Sequence, residues 1–157
     1  MEKITSHREL KVYQKAFKAA REIYRLSKAF PKEETYSLTD QIRRSSRSVC
    51  ANIAEAFRRR KYPKSFSNKL NESEAEAAET QNWLDFALDC EYISENDFST
   101  LDKEYENSIG MLVNMQKNPE NGLSSLILST HTPNTRHATA SANILDARCP
   151  VPDIQLL

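Results

Sequence analysis

The arginines of residues 41–64, QIRRSSRSVCANIAEAFRRRKYPK, are the side chains best suited to a chemical task. We call Arg43, Arg44 and Arg47 the mid-helix arginines. A second group, the helix-end cluster, consists of Arg58, Arg59, Arg60, Lys61, Tyr62 and Lys64. Guanidinium groups donate paired hydrogen bonds to phosphate or carboxylate oxygens, and an exposed tyrosine ring can stack on a nucleic-acid base. The segment therefore predicts a negatively charged partner.

Positive charge is concentrated in one part of a chain whose formal net charge is zero. Residues 40–69 contain nine Lys or Arg and two Asp or Glu, whereas residues 70–120 contain two basic and thirteen acidic side chains. The acidic part includes Glu72, Glu76 and Glu79 at helical spacing, with Trp83 after them. Two different complementary patches on every copy are what a head-to-tail ring requires.

Three hypotheses stay open for the basic side chains. In the first, they form a surface for nucleic-acid phosphates, with Tyr62 stacking on a base. In the second, the mid-helix arginines contact Glu72, Glu76, Glu79 and Trp83 of the next copy in a ring. In the third, they are an ordinary solvated helix face. The first two are compatible, because the helix-end cluster can stay exposed on the rim of a ring.

No arrangement typical of an active site or metal centre is found in the sequence. Carboxylate di-iron bundles need Glu-x-x-His pairs, and the three histidines, His7, His131 and His137, occur in no such motif. The two glycines, Gly110 and Gly122, are too far apart to form a glycine-rich phosphate loop. The sequence therefore predicts a non-enzymatic protein with no metal and no cofactor.

The cysteines and the apolar content indicate the compartment. Cys50, Cys90 and Cys149 are an odd number with no CxxC spacing, which predicts reduced thiols rather than a disulfide framework or a zinc site. No apolar stretch is long enough for a membrane span, and the first residues lack the apolar core of a signal peptide. We expect a cytoplasmic protein with no membrane partner.

Four helical patterns must position these side chains. The first starts at the capping box Ser6-x-x-Glu9 and ends before Pro31. Steps of three and four residues predict that its packed face contains Leu10, Tyr13, Phe17, Ala20 and Tyr24. The second pattern covers residues 36–60 and is predicted to bury Leu38, Ile42, Val49, Ile53 and Ala56. Its arginines are then expected on the opposite side of the helix.

The third and fourth patterns complete the domain. The third begins near Pro63 and keeps a 4-3-4-3 spacing through Phe66, Leu70, Ser73, Ala77, Thr80, Leu84 and Ala87. The fourth begins at Ser94, ends before Pro119, and has Phe98, Leu101, Tyr105, Ile109, Leu112 and Met115 as its apolar positions. Four such helices with short connections predict an all-α, antiparallel up-and-down four-helix bundle over residues 1–118. Residues 119–157 are rich in Ser, Thr, Asn and Pro and are predicted to be a disordered tail.

Several stretches of these helices resemble a known family. They are LKVYQKA (10–16), YRLSKAFPKEETYSLTDQIRRSSRSVCANIAEA (24–56), FSNKLNESEAEAAETQNWL (66–84) and EYISENDF (91–98). Together they resemble the 23S rRNA intervening-sequence protein family over about residues 7–118. The resemblance implies a four-helix bundle that assembles as a ring-shaped homopentamer. It also implies a relation to accessory proteins of diversity-generating retroelements, which bind a reverse transcriptase and its template RNA.

The residues and the resemblance together predict a homopentameric bundle that binds RNA, DNA or a ribonucleoprotein, with a reverse transcriptase as a candidate partner. The resemblance supplies no catalytic residue. The strongly acidic third and fourth helices are unlike a uniformly basic RNA-binding protein. They keep open the alternative of a homo-oligomeric protein-interaction scaffold that binds no nucleic acid.

Overall fold

The computed structural model describes residues 4–117, and this part of the chain is all-α, with no strand. Its four helices are α1 (Lys11–Leu26), α2 (Leu38–Arg59), α3 (Pro63–Asp89) and α4 (Glu95–Lys117). Three short 3-10 helices, His7–Glu9, Ser27–Ala29 and Lys32–Glu34, flank α1. The predicted all-α class is therefore confirmed. The predicted disordered tail at 119–157 lies outside the described residues.

Hydrogen bonds between neighbouring helices run in opposite order along the chain, so the neighbours are antiparallel. Between α2 and α3, Lys69 Nζ lies 3.4 Å from Asn52 Oδ1, and the hydroxyls of Thr80 and Ser45 lie 2.9 Å apart. Between α3 and α4, Gln81 contacts Asp102 and Gln116 contacts Glu74, so a later residue of one helix again meets an earlier residue of the other. Beside α1 and α2, the contacts of Ser27 with Arg43 and of His7 with Phe57 also run in opposite order. The helices thus pack in sequence around one core, with α1 diagonal to α3.

The closest pair, α2 and α3, meets through the residues that the sequence pattern predicts. All five apolar positions predicted for α2 and all seven positions of the α3 seam are buried. Small polar residues let these two backbones approach, and their hydroxyls are hydrogen-bonded: Ser73 Oγ donates to the Val49 carbonyl at 2.9 Å. Satisfied hydroxyls avoid the cost of burying an unpaired polar group.

The buried stripe of α1 is shifted by one residue from the predicted stripe. Leu10, the first predicted position, is buried just before α1. Within α1 the buried positions are Val12, Ala16, Ala19 and Ile23, not the predicted Tyr13, Phe17, Ala20 and Tyr24. Phe17 is 47% exposed, so the prediction that it packs in the core is wrong. Both stripes have the same 4-3-4 spacing and both are apolar. Close packing selects the stripe with small residues, because two alanines leave room for the neighbouring helices.

The ends of the helices show smaller differences. The capping box of Ser6 and Glu9 is present, but it caps the 3-10 helix, and α1 begins two residues later at Lys11. In α4, Phe98 and Ile109 are only partly buried, although the other predicted positions, Leu101, Tyr105, Leu112 and Met115, are buried.

Glu34 anchors the start of α2. Its carboxylate accepts hydrogen bonds from the Ser37 hydroxyl and from the backbone N–H of Leu38, and the Tyr92 hydroxyl lies 3.4 Å away. These hydrogen bonds, the one from Ser37 above all, lower the pKa of Glu34. The start of the arginine-bearing helix is therefore tied to the turn between α3 and α4.

Tyr105 generates a stability prediction, because its fully buried hydroxyl has no hydrogen-bond partner within residues 4–117. Removing an unpartnered buried hydroxyl removes a desolvation cost. We expect Tyr105→Phe to leave the free energy of unfolding unchanged or to raise it by about 1 kcal/mol. Tyr105→Ala, the control that opens a cavity, should lower it by about 3–5 kcal/mol. Denaturant unfolding measures both, and a clear loss of stability in Tyr105→Phe would contradict the packing described.

Candidate functional site

A groove with aromatic walls lies between α1 and α2. We define the aromatic groove by Tyr13, Phe17 and Tyr24 of α1 and by Arg43 and Arg47 of α2. Its other lining residues are Ala20, Arg21, Asp40, Arg44 and Cys50. The rings of Tyr13 and Phe17 stack with centroids 5.9 Å apart. An exposed aromatic stripe with helical spacing is typical of a face that packs against another protein.

Three cations converge on one ring of this groove. The guanidinium carbons of Arg43 and Arg47 lie 5.0 and 5.5 Å from the centroid of Tyr24, and Lys28 Nζ lies 5.0 Å from it. Arg43 Nε also donates a hydrogen bond to Ser27 Oγ at 2.7 Å. None of these cations forms an ion pair with a carboxylate of the described chain. Like charges so close repel one another, so an added anion would stabilise them.

A second surface runs along α3. We define the acidic stripe as Glu72, Glu76, Glu79, Trp83 and Phe86, which follow one another at 4-3-4-3 steps beside the buried seam. Trp83 Nε1 donates to Glu79 Oε1 at 3.1 Å, and the rings of Trp83 and Phe86 lie 5.8 Å apart. Phe86 is 50% exposed. The acidic stripe therefore ends in an aromatic pair of which Phe86 is exposed and Trp83 is partly buried.

The carboxylates of the acidic stripe crowd one another. Burial raises the pKa of Glu76, the nearby charges of Glu79 and Glu72 raise it further, and Arg44 acts in the opposite direction. Glu72 forms an ion pair with Lys69, whereas Glu76 and Glu79 form none with any residue that the structure describes. A cation from outside the chain would therefore be attracted to this stripe.

All three mid-helix arginines line the aromatic groove, and one of them also acts on α3. Arg43 and Arg47 lie against Tyr24 of α1, whereas Arg44 is close enough to Glu76 of α3 to affect its pKa. Arg44 thus lies between the aromatic groove and the acidic stripe. The residues predicted to meet across subunits do not neutralise one another within the chain, apart from this influence of Arg44 on Glu76.

A third surface lies where α2 ends and α3 begins. We define the basic corner as Arg58, Lys61, Tyr62 and Lys64, which are all exposed. The three cations form no ion pair with the rest of the described chain. Burial lowers the pKa of His7, and the nearby charges of Arg8 and Arg58 lower it further. The basic corner is therefore a patch of positive charge with one exposed ring.

The other two members of the helix-end cluster have partners within the chain. Arg59 forms an ion pair with Glu55, with Nη2 3.3 Å from Oε2. Arg60 lies over the Phe57 ring at 4.1 Å and donates to the Phe57 carbonyl at 2.6 Å. These two arginines are thus less available to a ligand than Arg58, Lys61 and Lys64.

In the range 4–117, no three His, Cys, Asp or Glu side chains lie close enough together to hold a metal ion. None of the helices there is both long and apolar enough to cross a membrane. Cys50 is buried beside the aromatic groove, and burial raises the pKa of its thiol to about 11.

Sequence reasoning found the arginines, the glutamates, Trp83 and Tyr62, but it missed the other aromatic residues of these surfaces. Phe17 and Tyr24 were assigned to the core, and Phe86 was not singled out. The available signal was the presence of two offset apolar stripes on α1, of which only one can be buried. Arg8 was missed because it is far from Arg58 in the sequence, and folding alone brings them together.

The packing and the surfaces define this protein as an all-α four-helix bundle with segregated surface charge. It belongs to the 23S rRNA-intervening sequence protein family, whose model matches residues 8–114. A crystal structure from the S23 ribosomal protein family of Bacteroides thetaiotaomicron VPI-5482, described as a protein with unknown function, is similar. It has 31% sequence identity and a TM-score of 0.62, over 68% of this chain and 95% of that chain. Among curated proteins, none matches this chain.

The two described cysteines give a labelling prediction. Thiolates are the reactive form, so burial and a raised pKa both protect Cys50, whereas Cys90 is exposed. We expect iodoacetamide to label Cys90 in the native protein and to label Cys50 only as the bundle opens. Peptide mass spectrometry after timed labelling measures this, and labelling in denaturant, where both thiols react, is the control. Rapid native labelling of Cys50 would contradict the described groove wall.

Proposed function

We propose that this protein is a non-enzymatic bundle that assembles into a ring and binds nucleic acid at the rim of that ring. One observation carries the proposal: cationic side chains form one surface between α1 and α2 and another at the α2–α3 turn, and these cations form no ion pair with carboxylates of the described chain. The first surface is the aromatic groove and the second is the basic corner. Two separate unpaired surfaces fit two separate partners.

The proposed partner of the aromatic groove is the acidic stripe of another copy. The aromatic groove carries positive charge and aromatic rings, and the acidic stripe carries negative charge and the Trp83–Phe86 pair. The aromatic wall of the groove follows α1, and the acidic stripe follows α3, each at helical spacing. Because they are different patches of the same chain, their contact is head-to-tail, and a head-to-tail contact that closes forms a ring. The family resemblance favours five copies.

The proposed partner of the basic corner is a polyanion. Arg58, Lys61 and Lys64 lie within seven residues of one another around the α2–α3 turn and are free to contact phosphates. Such contacts release counterions and make binding fall steeply with salt. A ring repeats the basic corner in every copy, so that weak contacts to one long nucleic acid add up to high avidity.

The family resemblance also suggests the natural form of this ligand. Accessory proteins of diversity-generating retroelements bind RNA together with a reverse transcriptase, so we propose a ribonucleoprotein as the partner class. Structured RNA is therefore the first probe, with duplex DNA beside it.

The second candidate is a ring that binds only proteins. The acidic residues of α3 and α4 favour it, because a negative surface repels nucleic acid. This alternative predicts the same assembly with no affinity for RNA or DNA, so the two experiments below separate it from the main proposal.

Assembly is tested by the mass of the particle in solution. We expect native mass spectrometry of the full chain to give five times the 18.0 kDa chain mass. Phe17→Glu should shift the mass towards the monomer, because it places a carboxylate in the apolar part of the aromatic groove. The control is Tyr36→Glu, at an exposed ring outside both surfaces, which should keep the assembled mass. A monomeric wild-type protein, or dissociation by the control alone, would contradict the proposed contact.

Nucleic-acid binding is tested by matched charge reversals. Lys61→Glu with Lys64→Glu should weaken binding of structured RNA by at least about tenfold in about 50 mM salt, since phosphate contacts dominate affinity at low salt. The control pair, Lys32→Glu with Lys103→Glu, changes the net charge equally at exposed lysines elsewhere and should have a much smaller effect. Fluorescence anisotropy measures both. Equal losses in both pairs would show a response to net charge alone, and no binding by the wild type would favour the scaffold.

A further inference from the structure

We infer that the basic corner selects single-stranded over duplex nucleic acid by stacking an unpaired base on the ring of Tyr62. This inference rests on the proposed function and adds to it the class of strand that is bound. Charge attracts every nucleic acid, so a preference between strands needs a group that contacts something other than phosphate. Tyr62 is the one aromatic member of the basic corner, and it is 69% exposed.

The backbone of Tyr62 is held by the helices on both sides. Its N–H donates to the Arg59 carbonyl at 2.8 Å, and its carbonyl accepts from the Phe66 N–H at 2.9 Å. Pro63 follows in the first turn of α3, and the residue before a proline is restricted to extended conformations. The ring therefore projects from a fixed point, and ordering it against a base costs little conformational entropy.

The ring of Tyr62 has no competing contact within residues 4–117. The other exposed rings near a charged surface are already stacked, Phe17 on Tyr13 and Phe86 beside Trp83. In contrast, the side chain of Tyr62 contacts no aromatic ring, cation or hydrogen-bond partner within the described chain. The exposed part of the ring is thus available to a ligand.

Tyr36 is the comparison that shows why exposure alone is insufficient. It is 92% exposed, yet its sequence neighbours include Glu33, Glu34 and Asp40, which repel phosphates. Tyr62 instead lies between Lys61 and Lys64, which attract them. The 22 residues of α2 separate the two tyrosines by about 30 Å. One protein therefore contains an exposed tyrosine among cations and another among carboxylates.

Stacking on Tyr62 discriminates between strands because a duplex covers the faces of its bases. An unpaired base offers a free face to an aromatic side chain, and this contact tolerates any base. Phosphate contacts by Arg58, Lys61 and Lys64 hold the backbone of either form. Removal of the ring should therefore weaken only single-strand binding, while removal of the lysines should weaken both.

The test compares Tyr62→Ala with Tyr62→Phe and Tyr36→Ala in the full-length assembled protein. The probes are an unstructured pyrimidine-rich RNA and an RNA duplex of the same length, titrated by fluorescence anisotropy at several salt concentrations. We expect Tyr62→Ala to weaken single-strand binding by at least about tenfold, the loss expected for one stacked base, because every copy in the ring loses its tyrosine, with no change for the duplex. Tyr62→Phe keeps a stacking ring and should bind as the wild type does, as should Tyr36→Ala. The salt dependence should not change in any of the three, because none removes a phosphate contact.

The outcomes separate this inference from the function on which it rests. Stacking is overturned if Tyr62→Ala binds both probes as tightly as the wild type does, or if it loses the same affinity for both. Either result leaves the proposed nucleic-acid binding of the wild type intact. A wild-type protein that binds neither probe overturns the proposed function itself, and the inference with it. Loss of single-strand affinity in Tyr62→Phe would also overturn stacking, because it would assign the effect to the hydroxyl.

Discussion

The close packing of α2 against α3 is the constraint on which the rest of the structure depends. Small and polar residues line this contact, and the hydrogen bonds of Ser73 to Val49 and between Thr80 and Ser45 fix its register. Once this pair is set, the arginines of α2 and the glutamates of α3 must lie on its outer sides. The α2–α3 turn then projects the basic corner from one end of the bundle. The acidic stripe and the basic corner therefore follow from this helix pair, and α1 completes the aromatic groove beside it.

The bundle folds without neutralising its own charge. Within residues 4–117, one ion pair, Lys69 with Glu72, touches the acidic stripe, and the others, such as Lys15 with Glu104, lie outside the clusters around Tyr24 and Glu76. Unpaired charges cost little in water, where they are solvated and screened. The same charges discriminate between partners when an apolar contact excludes water, because a charge without its water then needs an opposite charge on the partner. The exposed rings of the aromatic groove and of the acidic stripe provide such an apolar contact.

Sequence periodicity predicted most of the fold, because α2 and α3 each have one apolar face whose spacing leaves no alternative. It failed on α1, where two apolar stripes differ by one residue and only the space between the neighbouring helices decides which is buried. That single error hid the aromatic groove. The positions of the arginines followed from helix geometry, but the engagement of Arg60 with Phe57 did not. Such contacts depend on side-chain conformations that a sequence pattern does not encode.

The central claim is that the aromatic groove of one copy receives the acidic stripe of another. Cross-linking of lysine to carboxylate, in a mixture of ¹⁴N-labelled and ¹⁵N-labelled chains, tests this contact directly. The account predicts mixed-isotope cross-links that join Lys18 or Lys28, beside the groove, to Glu72, Glu76 or Glu79. An assembled protein whose mixed-isotope cross-links join other surfaces, or leave these glutamates unmodified, would contradict it.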